Sequence, residues 1–572
     1  MSGQTFTVLG RLAYAHAQGT WDEWFIETKD GEIRWLAEDE GELFLESKLE
    51  LKTPVPAREE LQPGMQITLN DKVGVIEEIG EARCIGGEGQ IPFPVQIGET
   101  YWYADGAGAD GSFVFGLEYD SASGVPTVFT GRLLRRSDAK SVAGLGEPAA
   151  AKTGEVIRCD SCGKPWEGVR VETTEMIVCD ACGANLKLDQ AQTKVVAKNQ
   201  GKKPAFTFEV GTPLTLEKTR YEVMGRLYYV ERDESGQYPS YEYVLHNPEE
   251  GYLWLSEENG HFTISRPFHQ QVNQTSSSPK SKVWVGNEAF QFYEGGSALL
   301  QWVDGALPWI AAAGEKTDYV HLIKPPEYID REATGKEVEL FRGRYVSLEE
   351  MLAAVPKGTT LPKPSGVYSC QPYVPSAWTK AFRWVGIVFL IINIALLIYS
   401  SETENPSTIL DEKIESSQYE AEHLSKPFQV KNDSAVLRLG GWASVNNSWV
   451  AVDFGVVDAE DRVVGEFFDE ASYYSGRDSE GAWSEGSQRF SSYFRIAKAG
   501  EYRLLVHGQG GSGENGPAKK EAVTLTLQTG VTMSRYFIWP LLLAGLFVCA
   551  GWGRREAFEN RRWRPVMKDD DD

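Results

Sequence analysis

Residues 23–38, EWFIETKDGEIRWLAE, alternate apolar and polar side chains on both sides of Lys29-Asp30-Gly31. Residues 241–257, YEYVLHNPEEGYLWLSE, do the same around a longer turn. A period of two with a Gly-containing turn predicts β-hairpins. The pattern returns beyond Phe428, where SAVLRLGG, SWVAVDFGVVD, VVGEFFDEASYY, QRFSSYFRIAKAGEYRLLVHG and EAVTLTLQTG read as strands. About seven or eight strands over about 100 residues predict a β-sandwich at 428–530. Two segments break the alternation. Trp384–Ser400 has no charge and one amide, Asn393, and Tyr536–Trp552 has no charge at all. Each is near the length that crosses roughly 30 Å of hydrocarbon, so transmembrane helices are expected at 381–400 and 536–552.

Flanking charge orients them. Lys380 and Arg383 precede the first segment and SETEN follows it, while Arg554, Arg555, Arg561, Arg562 and Arg564 follow the second. The positive-inside rule puts both chain ends in the cytoplasm and residues 401–535 outside, which in a Gram-negative cell means the periplasm. The N-terminus lacks a basic region followed by an apolar core, so the first domain is expected to fold in the cytoplasm. Residues 401–427 read as a polar stalk, and 553–572 as a basic and then acidic cytoplasmic tail.

The opening hairpins belong to a longer repetition. FTVLGRLAY at 6–14 meets YEVMGRLYY at 221–229, and Trp35, Leu36, Glu38 and Gly41 meet Trp254, Leu255, Glu257 and Gly260. Gly80, Gly89, Pro92, Gly98 and Glu99 meet Gly296, Gly305, Pro308, Gly314 and Glu315, and Phe129 to Arg132 meets Phe341 to Arg344. A duplicated domain of about 140 residues follows, a tandem and not a solenoid. The copies span 1–140 and 205–358, each expected as a bent antiparallel sheet or small barrel. Glu23 with Glu38, and Glu242 with Glu257, offer the paired carboxylates that acid–base hydrolysis needs. A Trp at a hairpin exit is more often core, and a Glu beside a turn is more often solvated.

Between the copies runs CDSCGKPWEGVRVETTEMIVCDACG, with two C-x-x-C-G knuckles separated by 16 residues. Four thiolates at this spacing satisfy Zn²⁺ tetrahedrally and leave no open position for water. Cys159, Cys162, Cys179 and Cys182 are therefore expected to hold a structural zinc in a ribbon at 155–190, which spaces or docks the two copies. SVAGLGEPAAAKTGE and AKNQGKKPA read as linkers on either side.

Composition narrows the function classes. The chain has 82 acidic and 57 basic residues, a formal charge of −25. That balance argues against nucleic acid as a partner, and the ribbon carries no basic stripe. It reads as solubility. Seven Cys, four of them in one constellation, are no secreted disulfide framework. The sequence contains no H-E-x-x-H and no Walker loop, and GQGGSGENG at 508–516 reads as a loop. In the outer segment Trp442, Trp449, Tyr473, Tyr474 and Trp483 form a candidate sugar or peptide platform.

On its Gly-Arg-Leu strand, its Trp-x-Glu-Trp strand (WDEW at 21–24), its Trp-Leu hairpin exit and its Gly-rich second half, the chain resembles bacterial membrane proteins carrying domain of unknown function 4178. The second copy departs from the pattern, with Ser240 and Tyr243 where the first has Trp21 and Trp24. The resemblance implies a setting of envelope maintenance beside phage-shock-type membrane-remodelling proteins, and it assigns no catalytic residue. The fold class expected is mainly β: two small β domains, a four-cysteine zinc ribbon, two transmembrane helices and an extracytoplasmic sandwich. The function expected is an inner-membrane adaptor or sensor linking the periplasmic sandwich to cytoplasmic protein partners. An uncharacterised hydrolase, or a periplasmic sugar- or peptide-binding module, is the alternative.

Overall fold

The computed structural model describes residues 5–119, 124–134, 157–166, 174–189, 192–199, 202–233, 236–273, 276–479, 481–512, 520–533 and 535–567. The linker at 141–155, part of the Gly-rich stretch at 508–516 and the acidic tail at 569–572 lie outside them. The fold is mainly β. It divides into a first unit, Met1–Val374 with Glu556–Asp572, and a second, Pro375–Arg555.

In the first copy, Phe6–Ala15, Thr20–Thr28, Ile33–Asp39, Glu42–Leu49, Thr127–Leu134, Val114–Tyr119, Thr100–Gly108 and Lys72–Gly89 pair antiparallel in that spatial order. Lys72–Gly89 then pairs back with Phe6–Ala15 and closes an eight-stranded barrel. The second copy closes in the same order through Thr219–Asp233, Gly236–Asn247, Gly251–Glu258, His261–Pro267, Glu337–Val346, Glu327–Thr334, Lys316–Lys324 and Glu288–Leu307. Closure leaves neither sheet an open edge.

The shared glycines have local causes. The first strand bulges between Val8 and Gly10, and its counterpart bulges between Val223 and Gly225. A Cβ at Gly10 would come 2.6 Å from the Gln90 carbonyl oxygen, and one at Gly225 2.6 Å from that of Ala306. Gly80 and Gly296 make room for a ring: a Cβ there would meet Tyr103 at 2.6 Å and Tyr319 at 3.0 Å. The repeated arginines tie neighbouring strands from outside. Arg11 donates to Asp22 at 2.6 Å, and the buried Arg226 donates to Asp304 at 2.7 Å and to Glu209 at 2.7 Å.

The cysteine ribbon is built into this unit. Met176–Val178 pairs with Ala184–Asp189 on one side and with the end of Glu288–Leu307 on the other. It also reaches the first barrel, where the Thr20 hydroxyl donates to Glu175 at 2.5 Å. The ribbon thus extends the second barrel and touches the first.

The second unit holds two long helices and two antiparallel sheets. Ala377–Thr403 and Arg535–Trp563 are helical beyond the expected bounds, the latter passing at Glu556 into the first unit. Both are long and apolar enough to cross a membrane by length and composition, and only 11% and 6% of their apolar windows are buried. They pack antiparallel: Phe382 stacks on Phe547 at 5.7 Å, Gly386 lies against Phe547 and Val548, and Arg554 donates to the Thr379 hydroxyl at 2.7 Å. Asn393 donates to the Phe389 carbonyl of its own helix at 2.8 Å, which satisfies that amide without an interhelical bond.

One sheet runs Ser407–Ile414, Val523–Thr529, Ala435–Ala443, Arg489–Ile496, and the other is centred on Gly500–Gly511 and Ser448–Asp458. They enclose one core that includes Leu437, Leu439, Val452, Phe454, Leu504 and Leu525. The stretch expected as a polar stalk departs from that reading. Ser407–Ile414 is a strand whose Leu410 and Ile414 enter the core. Ile409 packs beside them, and the polar Ser407, Thr408, Asp411 and Lys413 face out, which is what made the segment look unstructured.

Candidate functional site

The four cysteines converge. Cys159 and Cys182 sulfurs lie 3.7 Å apart, and those of Cys162 and Cys179 lie 3.6 Å apart. All four ligand atoms fall within 4.8 Å of one another, the one such donor group among the described residues. Gly163 and Gly183, at φ of +72° and +70°, carry each knuckle through a conformation that suits glycine. Each also donates its backbone N–H to the first cysteine's carbonyl at 2.7 Å. The arrangement is that of a closed metal site.

A second site is a cavity of about 200 Å³ at the first barrel, closed in part by Trp254, Pro267, His269 and residues 337–340 of the second. An eight-stranded barrel is just wide enough to be filled by its own side chains or to hold one small ligand. Here the inward positions are not uniformly apolar. Glu23, Asp39, Glu46, Glu78, Asp105 and Glu118 line the cavity from six different strands. Aromatic rings interleave with them: Tyr14, Trp21, Phe44, Tyr101, Tyr103 and Phe129. Two-residue periodicity produces the set, since Trp21 and Glu23, Phe44 and Glu46, and Tyr101, Tyr103 and Asp105 sit at successive inward positions.

Some of these acids have partners. Trp21 Nε1 donates to Glu23 at 3.0 Å, and the Tyr103 hydroxyl donates to Glu78 at 2.5 Å. His16 Nδ1 meets the same hydroxyl at 3.0 Å, and His269 bridges Glu42 at 2.8 Å and Glu77 at 3.0 Å. Glu46, Asp105 and Glu118 have no hydrogen bond or ion pair to a described residue; Glu46 and Glu118 are half-buried, Asp105 is exposed, and all three line the cavity.

Burial pushes Glu46 up to about 8, with the Glu23 charge adding to it. It also raises Glu23 and Asp39 to about 7, against the Trp21 hydrogen bond in one and the His16 charge in the other. Asp105 and Glu118 stand well above the usual carboxylate range, first through burial and then through Glu78 and Glu23 respectively. For His16 and His269 burial opposes the charge, but the carboxylates beside them win and raise both.

The second barrel has the same frame and a different filling. His321 stands at the register position of Asp105, Ser265 at that of Glu46, and Glu332 at that of Glu118. His321 Nδ1 is hydrogen-bonded to Asp330, and its Nε2 meets the Ser369 hydroxyl at 2.8 Å. These are the residue types of an acyl-transfer triad, but Ser369 is buried under the end of the chain. Arg562 donates to the carbonyls of Ser369 and Gln371, Tyr293 donates to the Arg562 carbonyl at 2.9 Å, and Trp563 packs into a cluster with Tyr293, Tyr328 and Cys370. The cavity left in this copy is about 60 Å³.

The residues singled out from sequence are distributed as follows. Glu23 points into the first barrel, while Glu38 pairs in register with Asp22 and so takes the opposite face; the two are not a carboxylate pair. Glu242 lines the second barrel's cavity, and Glu257 lies on the other face, accepting from Tyr243 at 2.9 Å and Thr207 at 3.0 Å. Trp35 and Trp254 are packed rings, on Phe25 and Phe129 and on Phe341 respectively. Of the five candidate platform aromatics, Trp449, Tyr474 and Trp483 share the outer face of one sheet. Tyr473 packs against the core, and Trp442 stands on the other sheet.

The family described as Domain of unknown function (DUF4178) matches residues 1–136 and 209–348, the two barrels. No curated protein matches the sequence. Among solved structures, PNGF-II in C2 space group is similar at 9% identity over 92% of this chain and 98% of that one, with a TM-score of 0.16. A Trypanosoma rangeli sialidase in complex with sialic acid is similar at 9% identity over 95% and 93%, with a TM-score of 0.09. Likeness at these scores carries no structural argument.

Proposed function

We propose that the chain is a bacterial inner-membrane adaptor or sensor of envelope state, coupling the β-sandwich outside the cytoplasm to protein partners of the two barrels inside it. One observation carries the reading: the second long apolar helix ends in Arg562 and Trp563, which are built into the core of the second barrel. A displacement of that helix is then a displacement of the barrel's plug. The same contact supports a reading in which the helix end lies on the barrels' side of the membrane, as the arginines that follow the apolar stretch also suggest by the positive-inside rule. Both ends of the chain are then cytoplasmic and residues between the helices periplasmic.

The four-cysteine site belongs to this frame as a structural zinc site. Zinc–sulfur bonds of about 2.3 Å in a tetrahedron give sulfur–sulfur edges of about 3.8 Å, close to the spacing of the cysteines. The bound ion would hold Met176–Val178 against the second barrel and so fix the angle at which the barrels meet. The test is recovery of crosslinked partners with the tagged chain from gently solubilised membranes. A stoichiometric partner lost on deletion of residues 205–358 supports the adaptor. Partner recovery that survives removal of either apolar helix overturns it.

A further inference from the structure

We propose that Ser369, His321 and Asp330 form a latent site for hydrolysis of carboxylic esters, held shut by Arg562 and Trp563 at the end of the second long helix.

The roles follow from which atoms meet. His321 stands on Lys316–Lys324 and faces Asp330 across the pairing with Glu327–Thr334. Its Nδ1 is hydrogen-bonded to the Asp330 carboxylate, and its Nε2 lies 2.8 Å from the Ser369 hydroxyl. An ionised carboxylate only accepts, so it keeps the ring proton on Nδ1. Nε2 of the neutral ring is then an acceptor, and the Ser369 hydroxyl donates to it. A serine nucleophile, its base and the group that orients the base are joined in this order.

The barrel frame does not need this set. The first copy has Asp105 and Gly116 at the register positions of His321 and Asp330, and it closes into the same eight strands without them. Ser369 belongs to the strands of neither copy and lies between the second barrel and the first long helix. A histidine–aspartate pair peculiar to one copy is thus met by a serine brought from outside it.

The cover is a single removable piece. The Trp563 indole packs on Tyr293 with ring centroids 5.3 Å apart, in a cluster with Ile323, Tyr328 and Cys370. Arg562 donates to the carbonyl of the serine itself and, at 2.6 Å, to that of Gln371. With these in place Ser369 is 6% exposed. Both covering residues come from the last turn of one helix, so a shift of that helix vacates the place of the indole. The space left beside the hydroxyl is walled by Tyr293, Ile323 and Tyr328, and such a lining takes the apolar acyl part of an ester.

In the open state Ser369 Oγ attacks the ester carbonyl carbon while its proton passes to His321 Nε2. The bond from that carbon to the alcohol oxygen breaks, and the leaving alcohol takes the proton. Water then attacks the acyl-serine, with His321 accepting its proton and returning it to Oγ, and the acid is released.

The inference rests on the same plug as the proposed function, and the test separates the two. The full-length, zinc-loaded chain in detergent is treated with a fluorophosphonate, and the modified serine is mapped by mass spectrometry. Maleimide labelling of Cys370 reports independently that the plug has left. Arg562→Ala with Trp563→Ala should react at Ser369 at least about tenfold faster than the parent and should hydrolyse 4-nitrophenyl butanoate. Adding Ser369→Ala or His321→Gln should lower that hydrolysis at least about a hundredfold. The hydrolysis rate should rise with pH through a midpoint above 6.5, because burial opposes the charge on His321 but Asp330, Glu294 and Glu258 outweigh it and raise the group. A hydrogen bond that only holds the fold gives no such profile. If the double variant does not melt cooperatively, the parent serves: its Ser369 labelling should increase in step with Cys370 labelling as temperature is raised. Labelled Cys370 with inert Ser369 overturns the inference and leaves the coupling of helix to barrel standing. Cys370 still unlabelled in the double variant overturns both. Hydrolysis that survives Ser369→Ala overturns the assignment of the nucleophile.

Discussion

The plug at the second barrel makes a quantitative prediction. Arg562 is 1% exposed and Cys370 beneath Trp563 is fully buried. The guanidinium donates to the Ser369 carbonyl and, at 2.6 Å, to that of Gln371, and it is held in place by Glu559 at 2.9 Å. Hydrogen bonds to a charged donor contribute about 1.5–3 kcal/mol each. Arg562→Ala removes two of them, and water reaching the freed carbonyls returns part of the loss. The closed state should be weakened by about 2–4 kcal/mol, which raises the opening equilibrium by roughly one and a half to three orders of magnitude. Cys370 reports the opening because it reacts with a maleimide only when Trp563 has left. Labelling followed by peptide mapping separates it from the other cysteines. Arg562→Lys should fall between the parent and Arg562→Ala, since an ammonium cannot fork across two carbonyls as the guanidinium does. A Cys370 labelling rate in Arg562→Ala within twofold of the parent, in protein that still melts cooperatively, would refute the plug.

Three further outcomes are expected. Chelation of the metal, or Cys179→Ser, should lower the melting temperature of the first unit and free Met176–Val178 for hydrogen exchange; an unchanged melt would sink the structural role of the site. The stability of the first barrel should fall as pH rises from about 5 to about 8. Glu23, Asp39 and Glu46 face one another and Glu78, Asp105 and Glu118 across the barrel, and they hold protons that the unfolded chain has released above about pH 4.5. The raised His16 and His269 act in the same direction, since their stabilising charge is lost as pH rises through their folded values. Glu46→Gln should therefore stabilise by about 1–3 kcal/mol at pH 8 and by little at pH 5, read by calorimetry in zinc-saturated buffer; a flat pH profile would count against the enclosed carboxylates. Gly80→Ala should cost about 1–3 kcal/mol and displace Tyr103 from Glu78, seen as a lower melting temperature, because its Cβ would come 2.6 Å from the tyrosine oxygen.

The repetition, the hairpins and the cysteine cluster were legible in the chain because each is a local pattern. Lys29-Asp30-Gly31 needs only its neighbours to turn, and two knuckles carry their own spacing. Closure of the barrels was less legible. It depends on pairings such as Lys72–Gly89 with Phe6–Ala15, which no periodicity announces. The acidic interior went unread for a different reason. Alternation alone does not say whether the inward set is apolar or acidic, and a net charge of −25 reads as solubility. At Trp21-x-Glu23 and Phe44-x-Glu46 the acid shares a face with an aromatic. An acid in phase with the apolar set, repeated on several strands, was the available signal. The Ser369, Arg562 and Trp563 plug left no signal of that kind, because its parts lie almost 200 residues apart in sequence.

The two copies explain each other. Gly80 and Gly296, the bulges at Gly10 and Gly225, and the tyrosines Tyr103 and Tyr319 keep one frame in both, so the frame does not account for the difference between them. The difference is confined to what points inward. In the second barrel a histidine in place of an aspartate gives Asp330 a partner, and a segment from the chain's own end covers the pair. Closing that barrel makes it a rigid seat for the helix that enters it. Rigidity of this kind suits a part that transmits position, since a packed core moves between discrete states and does not deform continuously. The barrels also touch directly, where Glu337 pairs with Glu78 and His269 bridges Glu42 and Glu77, and the ribbon is a further element in contact with both.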